Sequence, residues 1–207
     1  FNLPWFHSKL LRIFFNIFGI THATLVILMV LGALSLLVGV FLAIGQWDLK
    51  RLLAYHSISQ IGYIILGIGL GTPLGILGGL FHLFNHSIFK SLLFINAGAV
   101  EHATGTRDLN HMGGLKERMP ITAGTSWMAS MAISGIPPFN GFWSKLIIII
   151  ACIQANRFGL ALVAVSGSIL TLASFMKVQK FAFFGTLKKS LEEVKEVPLA
   201  MQIPMVI

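Results

Sequence analysis

Charge is what this 207-residue chain has least of. Charged residues make up 11 % of it, under half the quarter or so usual for a soluble domain, and only 7 residues are acidic. So few charges exclude an ordinary water-soluble enzyme domain, and the mean hydropathy of +0.84 agrees. Cysteine is nearly absent too. The one thiol, Cys152, excludes an internal disulfide and a thiolate metal site. There is no cysteine cluster and no glycine-rich strand-to-helix turn, so no redox cofactor is expected in this chain.

The charge that is present is one-sided: 15 Lys and Arg against 7 acids give a formal net charge of +8. A nucleic-acid partner is the first reading of such a balance, and the positions argue against it. Most of the positive residues sit in short connectors between long apolar runs, as membrane proteins display them. The chain therefore reads as an all-α, polytopic transmembrane helix bundle in contact with lipid, with no nucleic acid.

A helix needs about 20 residues to cross roughly 30 Å of hydrocarbon. Five runs qualify, at about 23–45, 52–70, 74–100, 120–155 and 158–184. The fourth, Pro120 to Ala155, is 36 residues long, about 54 Å as one helix, which is too long for a straight span. It contains Gly135-Ile136-Pro137-Pro138-Phe139-Asn140-Gly141, where two prolines remove donors and two glycines loosen the backbone. A single broken helix is expected, with its break at Pro137, Pro138 and Gly141. Residues 1–22 read as the end of an upstream span (Leu10 to Phe18) and a connector. Residues 185–207 read as a cytoplasmic connector and the start of a further span, so the sequence is expected to be an internal piece of a longer protein.

Orientation follows from Lys and Arg. One side collects ten: Lys50, Arg51, Arg107, Lys116, Arg118, Lys177, Lys180, Lys188, Lys189 and Lys195. The other has three, Lys9, Arg12 and Arg157. The positive-inside rule makes the first side cytoplasmic, with it the connectors at 46–51 and 101–119. Asp48 is placed to cap the second span. Lys50 and Arg51 in its first turn oppose the helix dipole, so topology or headgroup contact explains them better than helix stability. A contact within an assembly is the other reading of this pair.

Two lysines belong to no connector. Lys90 lies deep in the third span, where a charge costs about 2.5 to 3.5 kcal/mol on insertion scales and the stem is too short to reach either interface. His82, His86 and Lys90 are spaced i, i+4, i+8, which puts them on one stripe, about 6 Å apart. A lone buried histidine is most simply a packing residue. Three ionisable groups on one face can instead load and release protons without a carboxylate. Lys145 stands four residues beyond Gly141, beside a break whose freed backbone groups need protein or water to satisfy them, and is a second proton-loading candidate. Tyr55, His56, Ser57, Ser59 and Gln60 make the first two turns of the second span polar. They either feed protons from the cytoplasm, with His56 in the route, or only hydrate the interface.

Three stretches carry a resemblance. They are Gln46-Trp47-Asp48-Leu49-Lys50-Arg51-Leu52-Leu53-Ala54-Tyr55-His56-Ser57-Ile58-Ser59-Gln60-Ile61-Gly62-Tyr63, then His82-Leu83-Phe84-Asn85-His86-Ser87-Ile88-Phe89-Lys90-Ser91-Leu92-Leu93-Phe94, then Gly135 to Lys145. In sequence and order they resemble the antiporter-like membrane subunits shared by respiratory complex I, Mrp-type antiporters and membrane-bound hydrogenases. The resemblance implies a fourteen-helix subunit of two inverted five-helix repeats, of which this chain is the second. Lys145 matches the family's lysine at the broken helix, His82 and His86 its central histidines, and Lys90 a lysine common in that motif. The family's glutamate–lysine pair would lie upstream of Phe1. The spacing of its eighth-helix lysine falls on Pro4, so no role is carried to Lys9.

The implied function is proton translocation as a non-redox subunit of a redox-driven complex, of the NADH-quinone oxidoreductase or hydrogenase type, in the inner cell membrane. The alternative is a Na+/H+ antiporter subunit with no redox activity; the stretches Glu101 to Leu109 and Gly71 to Gly75 resemble Mrp-type antiporters and membrane-bound hydrogenases more than mitochondrial complex I subunits. Other membrane subunits of the same complex are the implied partners, with protons and possibly Na+ as the transported ions.

Overall fold

The computed structural model describes residues 21–206, together with Ile13 and Gly19. The expected upstream span end at Leu10 to Phe18, with Lys9 and Arg12, lies outside the described residues. Seven helices follow in order: α1 His22–Ile44, α2 Leu49–Gly69, α3 Pro73–Thr104, α4 Pro120–Ser134, α5 Asn140–Gln154, α6 Phe158–Val178 and α7 Leu199–Val206. The described residues form an all-α bundle with no strand among them. By length and composition α1, α2 and the run Phe158–Phe184 can each cross a membrane. The 32-residue α3 is longer still, but its buried polar residues lower its hydropathy.

The helix ends are set by local chemistry. Asp48 caps α2 by accepting the Arg51 N–H at 2.9 Å, so this helix starts at Leu49, ahead of the apolar run itself. Thr72 caps α3 with Pro73 in the first turn, and Gly105 ends it in the left-handed conformation, φ 71°. The α3 helix therefore runs to Thr104, past the apolar run that stops near Val100. Beyond Val178, α6 widens into a π-helical turn over Gln179–Phe184.

The fourth run is broken between Ser134 and Asn140. Gly135 takes a left-handed φ of 77° and its N–H bonds back to Ala132 and Met131 carbonyls, closing α4. At the start of α5 the backbone of Gly141 passes so close to the Ala132 carbonyl that no Cβ fits between them. Asn140 fixes the restart: its Oδ1 accepts the Gly141 N–H at 2.9 Å, and its Nδ2 donates to Asn85 Oδ1 at 3.1 Å.

Small residues govern the tightest contacts elsewhere. A Cβ on Gly32, Gly62 or Gly69 would meet backbone atoms across the α1–α2 seam. Gly67, Gly75 and Gly79 do the same for α2 against α3. The connectors meet at one end of the bundle. Leu49 N–H donates to the Arg107 carbonyl and Leu109 N–H to the Trp47 carbonyl, both at 2.9 Å. Lys177 Nζ donates to the Ile44 and Gln46 carbonyls at 2.6 Å, completing the end of α1. Lys50 pairs with Glu101 at 2.5 Å, and Arg107 lies 3.4 Å from Asp48 and 3.6 Å from Glu101. Lys50 thus has a partner within the chain itself, where the sequence pointed to topology or headgroups. Asp108, on the same surface, is held below the usual carboxylate range, chiefly by the backbone N–H of Asn110.

Candidate functional site

The buried polar groups gather where α2, α3, α5 and α6 meet. His82 on α3 is fully buried. Its Nε2 donates to Gln60 Oε1 of α2 at 3.2 Å, and its Nδ1 lies 2.9 Å from the Ser144 hydroxyl of α5. The next residue of α5, Lys145, is 2 % exposed. Its Nζ donates to the Ile133 carbonyl at 2.7 Å, a backbone group set free by the break, and lies 4.7 Å from the centroid of the Tyr63 ring. Tyr63 in turn stacks obliquely on His82, ring centroids 5.5 Å apart, and donates to the Ala164 carbonyl at 2.5 Å, with Ser168 Oγ 2.9 Å away. Lys145, Tyr63, His82, Gln60 and Ser144 thus form one contiguous cluster across three helices. A cavity of about 190 Å³ opens on it, lined by Ser134, Gly135, Phe142, Lys145 and Ser168 among others.

The remaining candidates sit around this cluster. Lys90 is 7 % exposed; its Nζ donates to the Leu53 carbonyl of α2 and lies 5.1 Å from the Phe94 ring centroid. His56, fully buried on α2, reaches α6: its Nε2 is 2.8 Å from Ser174 Oγ, and its Nδ1 has no partner among the described residues. His86 is half-buried against Phe89, with Nε2 enclosed and unpartnered among the described residues. Phe89 also contacts His82, at 6.2 Å between centroids. The stripe His82, His86, Lys90 is therefore one face of α3 whose members engage different neighbours, and Phe89 lies against both histidines. Among the described residues no acid enters this layer, and no group of three His, Cys, Asp or Glu could hold a metal ion.

What the arrangement can do chemically is hold a proton on an amine or imidazole and pass it over short steps. Each of Lys145, Lys90, His82 and His56 is next to a hydroxyl, a carbonyl or a second ring nitrogen. These four are conspicuous in the sequence, and Ser144 and Ser174 are not: Ser144 is legible only as the neighbour of Lys145, and Ser174 stands in an apolar span with no spacing to flag it.

The transmembrane family model of NADH:quinone oxidoreductase and Mrp antiporters matches residues 8–171. A Na(+)/H(+) antiporter subunit of Alkalihalophilus pseudofirmus is 38 % identical over 188 residues, covering 91 % of this chain and 38 % of that protein. Among solved structures, a chain of an archaeal membrane-bound sulfane sulfur reductase, a respiratory membrane complex, superposes with a TM-score of 0.85 at 38 % identity, covering 89 % of this chain and 30 % of that one. A chain of respiratory complex I from Thermus thermophilus superposes with a TM-score of 0.82 at 28 % identity, covering 91 % and 40 %. The chain thus spans about a third of the length of these proteins.

Proposed function

Because the chain belongs to the NADH:quinone oxidoreductase/Mrp antiporter transmembrane family, we propose that it translocates protons as one membrane subunit of a redox-driven complex of the NADH-quinone oxidoreductase or membrane-bound hydrogenase type. It is a multi-pass, antiporter-like subunit of the kind that assembles with other membrane subunits. One observation carries the proton reading: a buried amine, Lys145, is hydrogen-bonded to a carbonyl released by a helix break and joined through Tyr63 to His82. A permanent charge there would be expensive, and an amine that alternates between ammonium and neutral forms avoids that cost for part of the cycle. His82 takes up and releases a proton at Nδ1 against the Ser144 hydroxyl, while the Gln60 amide oxygen, which carries no proton itself, holds the Nε2–H. His56, His86 and Lys90 extend the route toward the connector end. The connectors at 46–51 and 101–119 face the cytoplasm, on the ten-to-three charge asymmetry, and the host is the inner cell membrane. Electrons, in this reading, travel in other subunits.

A second reading, Na+/H+ antiport with no redox partner, draws support from the likeness to the Alkalihalophilus antiporter protein over 91 % of the chain. The two are separated with the full-length protein in its native complex, in sealed vesicles. Proton uptake driven by an electron donor, unchanged when Na+ is omitted, supports the redox reading. Proton movement that follows an imposed Na+ gradient with no donor contradicts it and establishes the antiporter.

A further inference from the structure

The first half of the broken helix holds a row of groups that the route above leaves unused. On α4, Thr122, Ser126, Ser130 and Ser134 recur at every fourth residue and so stand in one line along the helix. All four are buried, at 0 to 4 % exposure. Aligned hydroxyls alone need mean no more than close helix packing.

Two independent observations point to more than packing. Gln179, 2 % exposed and located where α6 widens into its π-helical turn, reaches into the row: its Nε2 donates to Ser130 Oγ at 2.9 Å and to Ser126 Oγ at 3.2 Å. Its Oε1 has no partner among the described residues. An amide oxygen buried and unpaired is costly, and such a polar spot is where an internal water is held. The ends of the row are also chemically distinct. At the connector end the Glu196 carboxylate accepts the Thr122 hydroxyl at 2.6 Å and the Ile121 N–H at 2.8 Å. At the inner end Ser134 lines the same cavity as Lys145.

We propose that this row is a second, hydrated route for protons, linking Glu196 at the connector end of the bundle to Lys145 at the break. The inference rests on Lys145 being a proton-loading group. Glu196 takes a proton from the aqueous phase and becomes the carboxylic acid, then releases it to the Thr122 hydroxyl. Each hydroxyl or intervening water accepts one proton and gives up another, so one proton advances and no bond to carbon changes. Hydroxyls four residues apart are about 6 Å from each other, a gap one water spans. The Gln179 amide passes no proton itself; its Nε2 bridges the Ser126 and Ser130 hydroxyls, and its free oxygen holds a water beside that pair. The proton ends on the Lys145 amine, which becomes an ammonium, and the same steps reversed discharge it.

The test uses the full-length protein in its assembled complex in sealed vesicles, with flux normalised to assembled complex. Glu196→Gln keeps an oxygen to cap α4 but cannot carry a proton, so proton flux should fall several-fold. In a Cys152→Ala background, Ser130→Cys should be reached by a small charged thiol reagent from the connector side, and labelling should cut flux, while Ser130→Thr retains it. Wild-type flux per complex in Glu196→Gln, or a Ser130→Cys thiol closed to the reagent, overturns the route; loss of assembly with normal flux per complex also does, since it leaves Glu196 as a cap alone. Lys145→Ala in parallel separates the two levels. Normal flux there means the underlying reading fails, and absent flux there with normal Glu196→Gln means that only the second route fails.

Discussion

Replacing Gly141 by alanine probes the break directly. The added Cβ would fall on the carbonyl of Ala132, in the closing turn of α4. Ordinary van der Waals contact is 3.4–4 Å, so the two half-helices must part by more than about an ångström. Neither side is a flexible side chain that can swing away, because the opposing atoms are backbone. Overpacking of this kind costs about 1–3 kcal/mol. The parting also acts on Lys145, one helical turn along α5, whose 2.7 Å bond to the Ile133 carbonyl ties the same two halves together. Gly141→Ala should therefore lower both the unfolding midpoint and the proton flux per assembled complex. Gly124→Ala is the matched control: it lies on α4 with no atom within 4 Å of the new methyl, and it should leave stability unchanged or raise it by about 0.5–1 kcal/mol. Differential scanning of the purified complexes gives the midpoints. Equal melting and equal flux for the two variants would refute the reasoning that the close approach at Gly141 holds the break.

The other predictions concern the histidines, the clasp between connectors and the topology. Single changes His82→Ala or His86→Ala should slow flux partly, since water can bridge one gap, and the double variant should cost more than the two effects multiplied; full flux in the double variant would return both residues to packing. Lys177→Met removes the donor to the Ile44 and Gln46 carbonyls; it should destabilise the complex by about 1–3 kcal/mol with flux per surviving complex unchanged, read by thermal melting beside flux. In a Cys152→Ala background, Arg157→Cys should be labelled from outside the cell and Asn110→Cys should not, and the opposite pattern would reverse the orientation.

Much of the bundle was legible because the bilayer imposes a length on apolar runs and the break announces itself by Pro137 and Pro138 within an over-long run. What moved were the ends. Asp48 and Gly105 extend helices beyond the apolar residues, since caps act on backbone groups that hydropathy does not sense. Lys145, His82 and Lys90 stood out because ionisable groups are costly at that depth, and His56 as part of the polar first turns of the second span. Their partners did not. Ser144 and Ser174 are unremarkable in an apolar run, and their meaning arises only when α5 and α6 are placed beside α2 and α3. The spacing of His82, His86 and Lys90 places the three along one stripe of α3. Which neighbour each member faces, Gln60 or Leu53, depends on packing between helices that no period within one helix encodes.

Proton flux per assembled complex in Lys145→Ala, measured with the full-length protein in sealed vesicles, tests the central claim most directly. Flux should be abolished while assembly is retained, and Lys145→Arg should fail as well, because a guanidinium hardly ever releases its proton. Near-normal flux in correctly assembled Lys145→Ala would contradict it.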